Sequence, residues 1–312
     1  MVCNTLPAPH LDARPCGARR ISMLTDQALF DACGVRVAFT GRAGGVSEGA
    51  FASLNLGAHV QDNLDHVMEN RARVMEALGA PDTPVIVPNQ VHGTTIVNIE
   101  SASAAQLVAA QQRAQAGADA LAVSVPGVAA LLCFADCTPV IIVSPTGRFV
   151  VAHAGWRGVV GNIAVLSAQR LAQADGACGP DQVRANLGGY NVYIGPHIHA
   201  CHFEVGQTSP IGSVPSSVLA ASRGSATLAC STRWARRLLP PASMRAHLRC
   251  GHLHSVQFPS VLFVSRIGRH VRPPWCRRVQ KGLIPCHSLN ITRTRSTSFP
   301  ASAPRVGATR AT

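Results

Sequence analysis

The last third of this 312-residue chain lacks acidic side chains altogether: residues 207–312 hold 15 Arg, one Lys and no Asp or Glu. Residues 1–206 hold the other 12 Arg and all 15 acidic residues, a net of −3, so the formal charge of +13 originates entirely in the tail. An average protein gives about a quarter of its residues to charges of both signs, which makes a carboxylate-free stretch of this length foreign to what precedes it. Two readings compete. A basic arm would neutralise nucleic-acid phosphates with little sequence preference. Alternatively, the reading frame changes near residue 206, and the Arg, Ser and Pro bias reflects a shifted frame of GC-rich DNA. Trp234, Trp275 and the scattered cysteines of the tail form no recognisable binding module. The frame change is the favoured expectation, with 207–312 an Arg-rich tail that is disordered or out of frame.

Other absences narrow the class of protein. No run of about 18 apolar residues exists, so no membrane-spanning helix is expected. The opening MVCNTLPAPHLDARPCGARR has no apolar stretch of the secretory kind, and Asp12 and the prolines argue against an amphipathic transit helix. Eleven cysteines, an odd number at irregular spacing, do not read as a disulfide framework. Reduced thiols in a cytoplasm are the simplest expectation. There is no internal repeat. What is present in quantity is apolar residue, 47% of the chain, enough for a substantial core.

Patterning in residues 35–206 is mixed. Val35–Thr40 reads as a strand running into a turn at Arg42–Ser47. Asp62 and Asn63 are suited to cap a helix from about Leu64 to Leu78, with Val67, Val74 and Leu78 on one face. Pro84–Val87 and Thr94–Ile99 read as short strands, and Ala102–Ala116 as a helix. Three apolar runs, Val128–Phe134, Val140–Val143 and Phe149–Ala152, have strand length and are apolar on both faces, which predicts strands covered on both sides. A helix is expected over Val159–Ala174, and Arg184–Tyr193 leads to another short strand. The expected organisation is a variable segment 1–34, a mixed α/β (α+β) domain over 35–206, and the tail.

Three short segments carry the candidate chemistry: NQVHG with His92, FADCTP with Cys137, and HAGWRG with His153. Two imidazoles and a thiol are the donors of an open transition-metal site, where three protein ligands leave a fourth position for water or substrate. The separations of 45 and 16 residues are too long for a zinc finger, so the fold would have to assemble the site. On spacing alone, a buried Cys and two satisfied core histidines fit as well.

Taken in order, these segments resemble the laccase-domain family, once labelled multicopper polyphenol oxidases and now better described as purine nucleoside phosphorylases, which includes the peptidoglycan editing factor. The resemblance extends to Arg42-Ala-Gly-Gly-Val-Ser47, Ser53-Leu-Asn-Leu-Gly57, Glu69-Asn70-Arg71, Ala118-Asp119-Ala120-Leu121, Ile194-Gly-Pro196 and Phe203-Glu-Val-Gly206, covering roughly residues 35–206. It implies an α-β-β-α layered domain and metal ligands at His92, Cys137 and His153. It also implies phosphorolysis of adenosine, inosine and methylthioadenosine, with adenosine deamination beside it. Editing of a peptidoglycan precursor and copper-dependent phenol oxidation are the other enzymatic readings. An inactive remnant or a basic nucleic-acid-binding protein is the non-enzymatic one.

Thiolate plus imidazole ligation suits zinc, with copper as the alternative. Asp136 and Asp119 are candidate acids at the metal's periphery or at the substrate. Arg157, after a Gly turn at a helix start, is placed to meet phosphate, and Arg42 and Ser47 offer a second guanidinium and a hydroxyl. Asn55 and Gln90 complete the residues expected to meet substrate or phosphate. In phosphorolysis phosphate attacks the anomeric carbon as the purine leaves, so cationic groups at phosphate and a proton donor at the base are both required. The donor is not identifiable from the sequence. A local cluster, Gly195-Pro-His-Ile-His-Ala-Cys-His202, is expected to be a surface or site-adjacent loop.

Overall fold

The structure is a computed structural model, and it describes residues 5–198 and the strand Ser260–Arg266. Two sheets form the centre. The first has six strands in the order β1 (Asp12–Cys16), β2 (Ile21–Thr25), β3 (Val35–Thr40), β11 (Ser260–Arg266), β7 (Ala129–Phe134) and β4 (Val85–Ile86). The second has five, in the order β10 (Asn191–Ile194), β8 (Thr138–Val143), β9 (Phe149–Ala154), β6 (Ala120–Val123) and β5 (Ile96–Ile99). Most neighbours run antiparallel, and only β4–β7 and β5–β6 are parallel.

Strict alternation explains why the runs that look apolar on both faces are strands. In β3, Val35, Val37 and Phe39 face the other sheet, while Ala38 faces away. In β9, Phe149 and Val151 join that same inter-sheet core, and Val150, Ala152 and Ala154 turn to the far side. The far face of the first sheet is covered by α2 (Leu64–Ala77) through Val74, Met75 and Ala77. That of the second is covered by α5 (Ile163–Ala174) and α6 (Pro180–Leu187) through Ile163, Ala168, Leu171 and Leu187. The layers are therefore α-β-β-α, as the resemblance implies. Each fully buried Leu, Phe or Val contributes about 1.5–3 kcal/mol, so the inter-sheet core is the main stabilising mass of the domain. Helices α1 (Gln27–Cys33) and α3 (Ala104–Gln115) add Leu29, Cys33, Ala110 and Ala114 to that core.

Several expectations shift by a residue or two, as element ends do. Others differ more, and β6 and α6 stand where no element is expected from the sequence. Residues 12–33, assigned no element from the sequence, form β1, β2 and α1, with Asp26 capping α1 by accepting from the Leu29 N–H at 2.9 Å. The helix expected over Val159–Ala174 is two helices, α4 (Trp156–Val160) and α5, separated at Gly161 and Asn162, the latter at φ 61°. A left-handed residue cannot continue a right-handed helix, and Gly161 in this run weakens helical propensity further. Strand β11 lies inside the segment that the charge count sets apart. It pairs antiparallel with β3 on one side and β7 on the other, Val264 opposite both Val37 and Ala130. The remainder of 207–312 lies outside the described residues.

Candidate metal centre

His92, Cys137 and His153 arrive from three different pieces of chain and meet at one end of the sheets. His153 continues the Phe149–Val151 face of β9, so strand alternation aims it along the inter-sheet core. Its ring lies 5.4 Å from that of Phe134 on β7. Cys137 sits in the three-residue connection between β7 and β8. His92 lies in the loop after β4 at φ 61°, a left-handed conformation that costs a non-glycine residue about 1 kcal/mol or more.

Asp119 offsets that cost. It is fully buried at the start of β6, and its carboxylate accepts three successive backbone N–H groups, from Val91 at 3.3 Å, His92 at 2.9 Å and Gly93 at 2.7 Å. The same carboxylate accepts from Nδ1 of His153 at 2.7 Å, while the His153 backbone N–H donates to the Asp119 carbonyl, also at 2.7 Å. One side chain thus fixes the loop that carries the first histidine and the ring of the second. With Nδ1 engaged, Nε2 of His153 is the nitrogen left for a metal, the usual arrangement of a carboxylate-backed imidazole ligand.

The electrostatics follow from these contacts. Burial works against ionisation of Asp119, but the bond from His153 and the N–H groups of Gly93 and His92 outweigh it and hold the carboxyl below its ordinary range. Burial likewise opposes the charged form of His153, yet its bond to Asp119 and its contact with the Cys137 thiol raise its pKa. His92 moves the other way: burial first, then the neighbouring His153, lower it. A metal at this site would be held by Nε2 of His153 in exchange for a proton and by His92 as a neutral imidazole.

The three ligand atoms lie within 4.8 Å of one another, and Sγ of Cys137 is 3.7 Å from Nε2 of His92. A tetrahedral ion with bonds of about 2.3 Å to sulfur and 2.0–2.1 Å to nitrogen sets such a pair about 3.6 Å apart. The residues fit the ion. Gly155 keeps the space clear: a Cβ there would stand 2.5 Å from the His92 ring, 3.3 Å from that of His153 and 3.4 Å from Sγ of Cys137. Among the described residues, this is the one His/Cys/acid cluster with metal-binding geometry.

The other nominated residues separate into two groups. Asp136, next to Cys137, is exposed, and Arg157 is exposed with its guanidinium 4.8 Å over the ring of Trp156. Arg157 is also near enough to His92 to help lower its pKa. Gln90 has both ends of its amide bonded to the backbone of Cys133, at 2.8 Å each, so it pins the His92 loop to β7. Gln111 of α3 grips the same loop at Val87, donating at 2.8 Å and accepting at 3.1 Å.

Arg42, Ser47 and Asn55 belong elsewhere, to a cradle laid over α2. Nε and Nη2 of Arg42 donate to the Ala52 carbonyl. Ser47 donates to Asp62 at 2.6 Å, and Asn55 donates to the same carboxylate at 2.9 Å. Asn70, fully buried on α2, donates to Oγ of Ser47 and the carbonyls of Ser53 and Asn55, and accepts from Val46. Gly45 lies so close that a Cβ would come within 2.4 Å of the Asn70 amide oxygen. Asn70 was not singled out from sequence, although Glu69-Asn70-Arg71 is one of the segments that carries the resemblance. Nor was Gly155, whose position inside HAGWRG was the available cue. In the histidine cluster, His197 bonds the carbonyl of Gly195 at 2.8 Å, and His199 and His202 lie outside the described residues.

Comparison with known proteins bears on the sequence and the fold. The purine nucleoside phosphorylase YlmD of Geobacillus stearothermophilus is 40% identical over 132 residues, 42% of this chain and 48% of its own length. A purine nucleoside phosphorylase of Pseudomonas aeruginosa is 36% identical over 173 residues, 55% of this chain and 61% of its own. The chain thus aligns with about half to three-fifths of these relatives. The crystal structure of YlmD superposes with a TM-score of 0.60 at 26% identity, covering 85% of this chain and all of that one. A Neisseria meningitidis protein, NMB0706, gives 0.55, also at 26% identity, over 83% of this chain. No helix among the described residues is long and apolar enough to cross a membrane. The family model described as multi-copper polyphenol oxidoreductase laccase matches residues 36–236, past the Gly206 at which the quoted segments end, and the chain belongs to that family.

Proposed function

We propose that this chain is a zinc-dependent purine nucleoside phosphorylase, taking adenosine or inosine with phosphate to the free base and ribose 1-phosphate, and methylthioadenosine to adenine and 5-methylthioribose 1-phosphate. The observation that carries the reading is the convergence of His92, Cys137 and His153 to within 4.8 Å beside a glycine that leaves room for an ion. The names of the relatives supply the reaction class. Zinc is preferred to copper because one thiolate and two imidazoles suit an open tetrahedral site that needs no redox partner. A laccase-type oxidation calls for several copper ions, and the described residues gather one cluster.

In this reading Asp119 holds both imidazoles in register, and Gly155 keeps the approach to the ligands open. Arg157, exposed beside the centre, meets phosphate, where a planar guanidinium offers two parallel donors. Asp136 is the acid nearest in sequence to Cys137 and is assigned to the substrate. Held by His92, Cys137 and His153, zinc would supply the Lewis acidity that adenosine deamination would use as a side reaction. The test is phosphate-dependent release of hypoxanthine from inosine by the purified, zinc-loaded protein, followed by chromatography with ribose 1-phosphate as co-product. Formation of both, lost on chelation, is expected. Hydrolysis to free ribose without phosphate, or no turnover at all, would overturn the assignment.

A further inference from the structure

The loop that delivers His92 has a second face, and it borders a cavity of about 330 Å³ lined by none of the three metal ligands. That volume suits a small organic ligand rather than a lone ion. Among the described residues no acid lines it, whereas Arg71 and His59 both do. The Arg71 guanidinium is half-buried, and its Nε and Nη2 donate to the Leu56 carbonyl at 2.9 and 2.7 Å. Among the described residues no carboxylate pairs with it and Nη1 has no hydrogen-bond partner; burial lowers its pKa. A guanidinium withdrawn from water without an acid beside it is held at a cost that a bound anion relieves.

The remaining lining indicates what kind of anion. The amides of Gln90 and Gln111 are bonded at both ends to the backbone of Cys133 and Val87, so they serve as walls rather than donors. Val85 and Val87 give one side an apolar character. We propose that this cavity is an anion-binding site, separate from the metal centre, for a small ligand with a phosphate- or phosphonate-like head on Arg71 and an apolar body against Val85 and Val87. Its wall runs through residues 87–90 into His92, so an occupant stiffens the loop that holds a metal ligand.

The test is calorimetric titration of the full chain with phenylphosphonate, in the wild type, Arg71→Gln, Arg71→Lys, His59→Gln and Cys137→Ala. Saturable binding is expected, at least tenfold weaker in Arg71→Gln, a few-fold weaker in Arg71→Lys, and unchanged in Cys137→Ala. Binding that Cys137→Ala abolishes and Arg71→Gln retains would assign the anion to the metal centre and overturn the proposal, as would the absence of saturation in the wild type. Should Arg71→Gln fail to fold, His59→Gln at its exposed position still decides. About threefold weaker binding there supports the site, and unchanged affinity in both it and Arg71→Lys overturns it. Loss of phosphorolysis alone leaves these affinities unaltered, so the two proposals fail separately.

Discussion

Two polar regions of this molecule look alike in sequence and differ in what their side chains do. Around the candidate metal centre, polar side chains surround a point and leave donor atoms directed at it: Nε2 of His153 is left free to face inward because Asp119 takes Nδ1. In the cradle over α2, Ser47, Asn55 and Asn70 turn their polar atoms on one another and on backbone carbonyls. Both regions were reached through short, recognisable segments. The difference is whether hydrogen-bonding capacity is satisfied internally, and a sequence does not contain that information. A buried polar cluster whose members satisfy one another holds the chain together, and one that converges with capacity left over holds something else.

The comparison breaks most sharply at Cys137. Replacing it with Ala removes one of three ligands from a site that has no spare donor among the described residues. Zinc content, measured by atomic emission, is expected to fall from near one equivalent to below a tenth. The thermal midpoint of metal-stripped protein should move little, because the thiol is only half-buried in a connection between strands. Retention of stoichiometric zinc would remove the metal assignment. The reciprocal change is Asn70→Ala in the cradle. It deletes the partner of four groups at a fully buried position, and each buried group left unpaired costs about 1–3 kcal/mol. Chemical denaturation is expected to show a loss of about 3–5 kcal/mol, while zinc per folded molecule stays the same.

Asp119→Asn falls between the two regions, since Asp119 is both buried scaffold and ligand support. An amide preserves shape but loses charge and one acceptor, so it cannot serve three N–H groups and an imidazole equally. Zinc affinity, measured by competition with a chromophoric chelator, should drop about 10–100-fold, the usual effect of losing a ligand's hydrogen-bonded partner. A cobalt-substituted sample should show an altered visible spectrum, which a purely structural defect would leave unchanged. Glu in place of Asp restores charge at the wrong reach and is expected to rescue poorly.

What could be read beforehand follows the same division. Strands β3, β7, β8 and β9 were legible because buried strands advertise themselves as apolar runs, and the candidate ligands because imidazole and thiol are scarce, chemically loud residues; the four-residue β6 was too short to stand out. The break at Gly161 and Asn162 was passed over because the helical composition of Ile163–Ala174 dominates the run, although the Gly-Asn pair ahead of it was the available cue. Elements in residues 12–33 were missed because a short hairpin of DARPC and ISMLT has too few alternating apolar positions to stand out from coil. Asp119 was nominated without a definite role. Its four partners come from residues 91–93 and 153, a contact pattern that exists only after β6 and β9 pair.

Arg42 is where the comparison is most finely balanced. Its sequence setting, a guanidinium ahead of Gly-Gly and a serine, suggests phosphate; its Nε and Nη2 hold the Ala52 carbonyl instead. These roles leave different traces. If Arg42 only ties the cradle, Arg42→Ala costs about 1 kcal/mol, the loss of one exposed charge-assisted contact, and shifts the thermal midpoint by a few degrees. The KM for phosphate then stays within twofold. If Arg42 meets phosphate, that KM rises tenfold or more, Arg42→Lys recovers part of it, and stability hardly changes. The first pattern is expected from the bonding of Nε and Nη2, and it would place phosphate recognition on Arg157, whose guanidinium rests on Trp156 beside the ligand histidines.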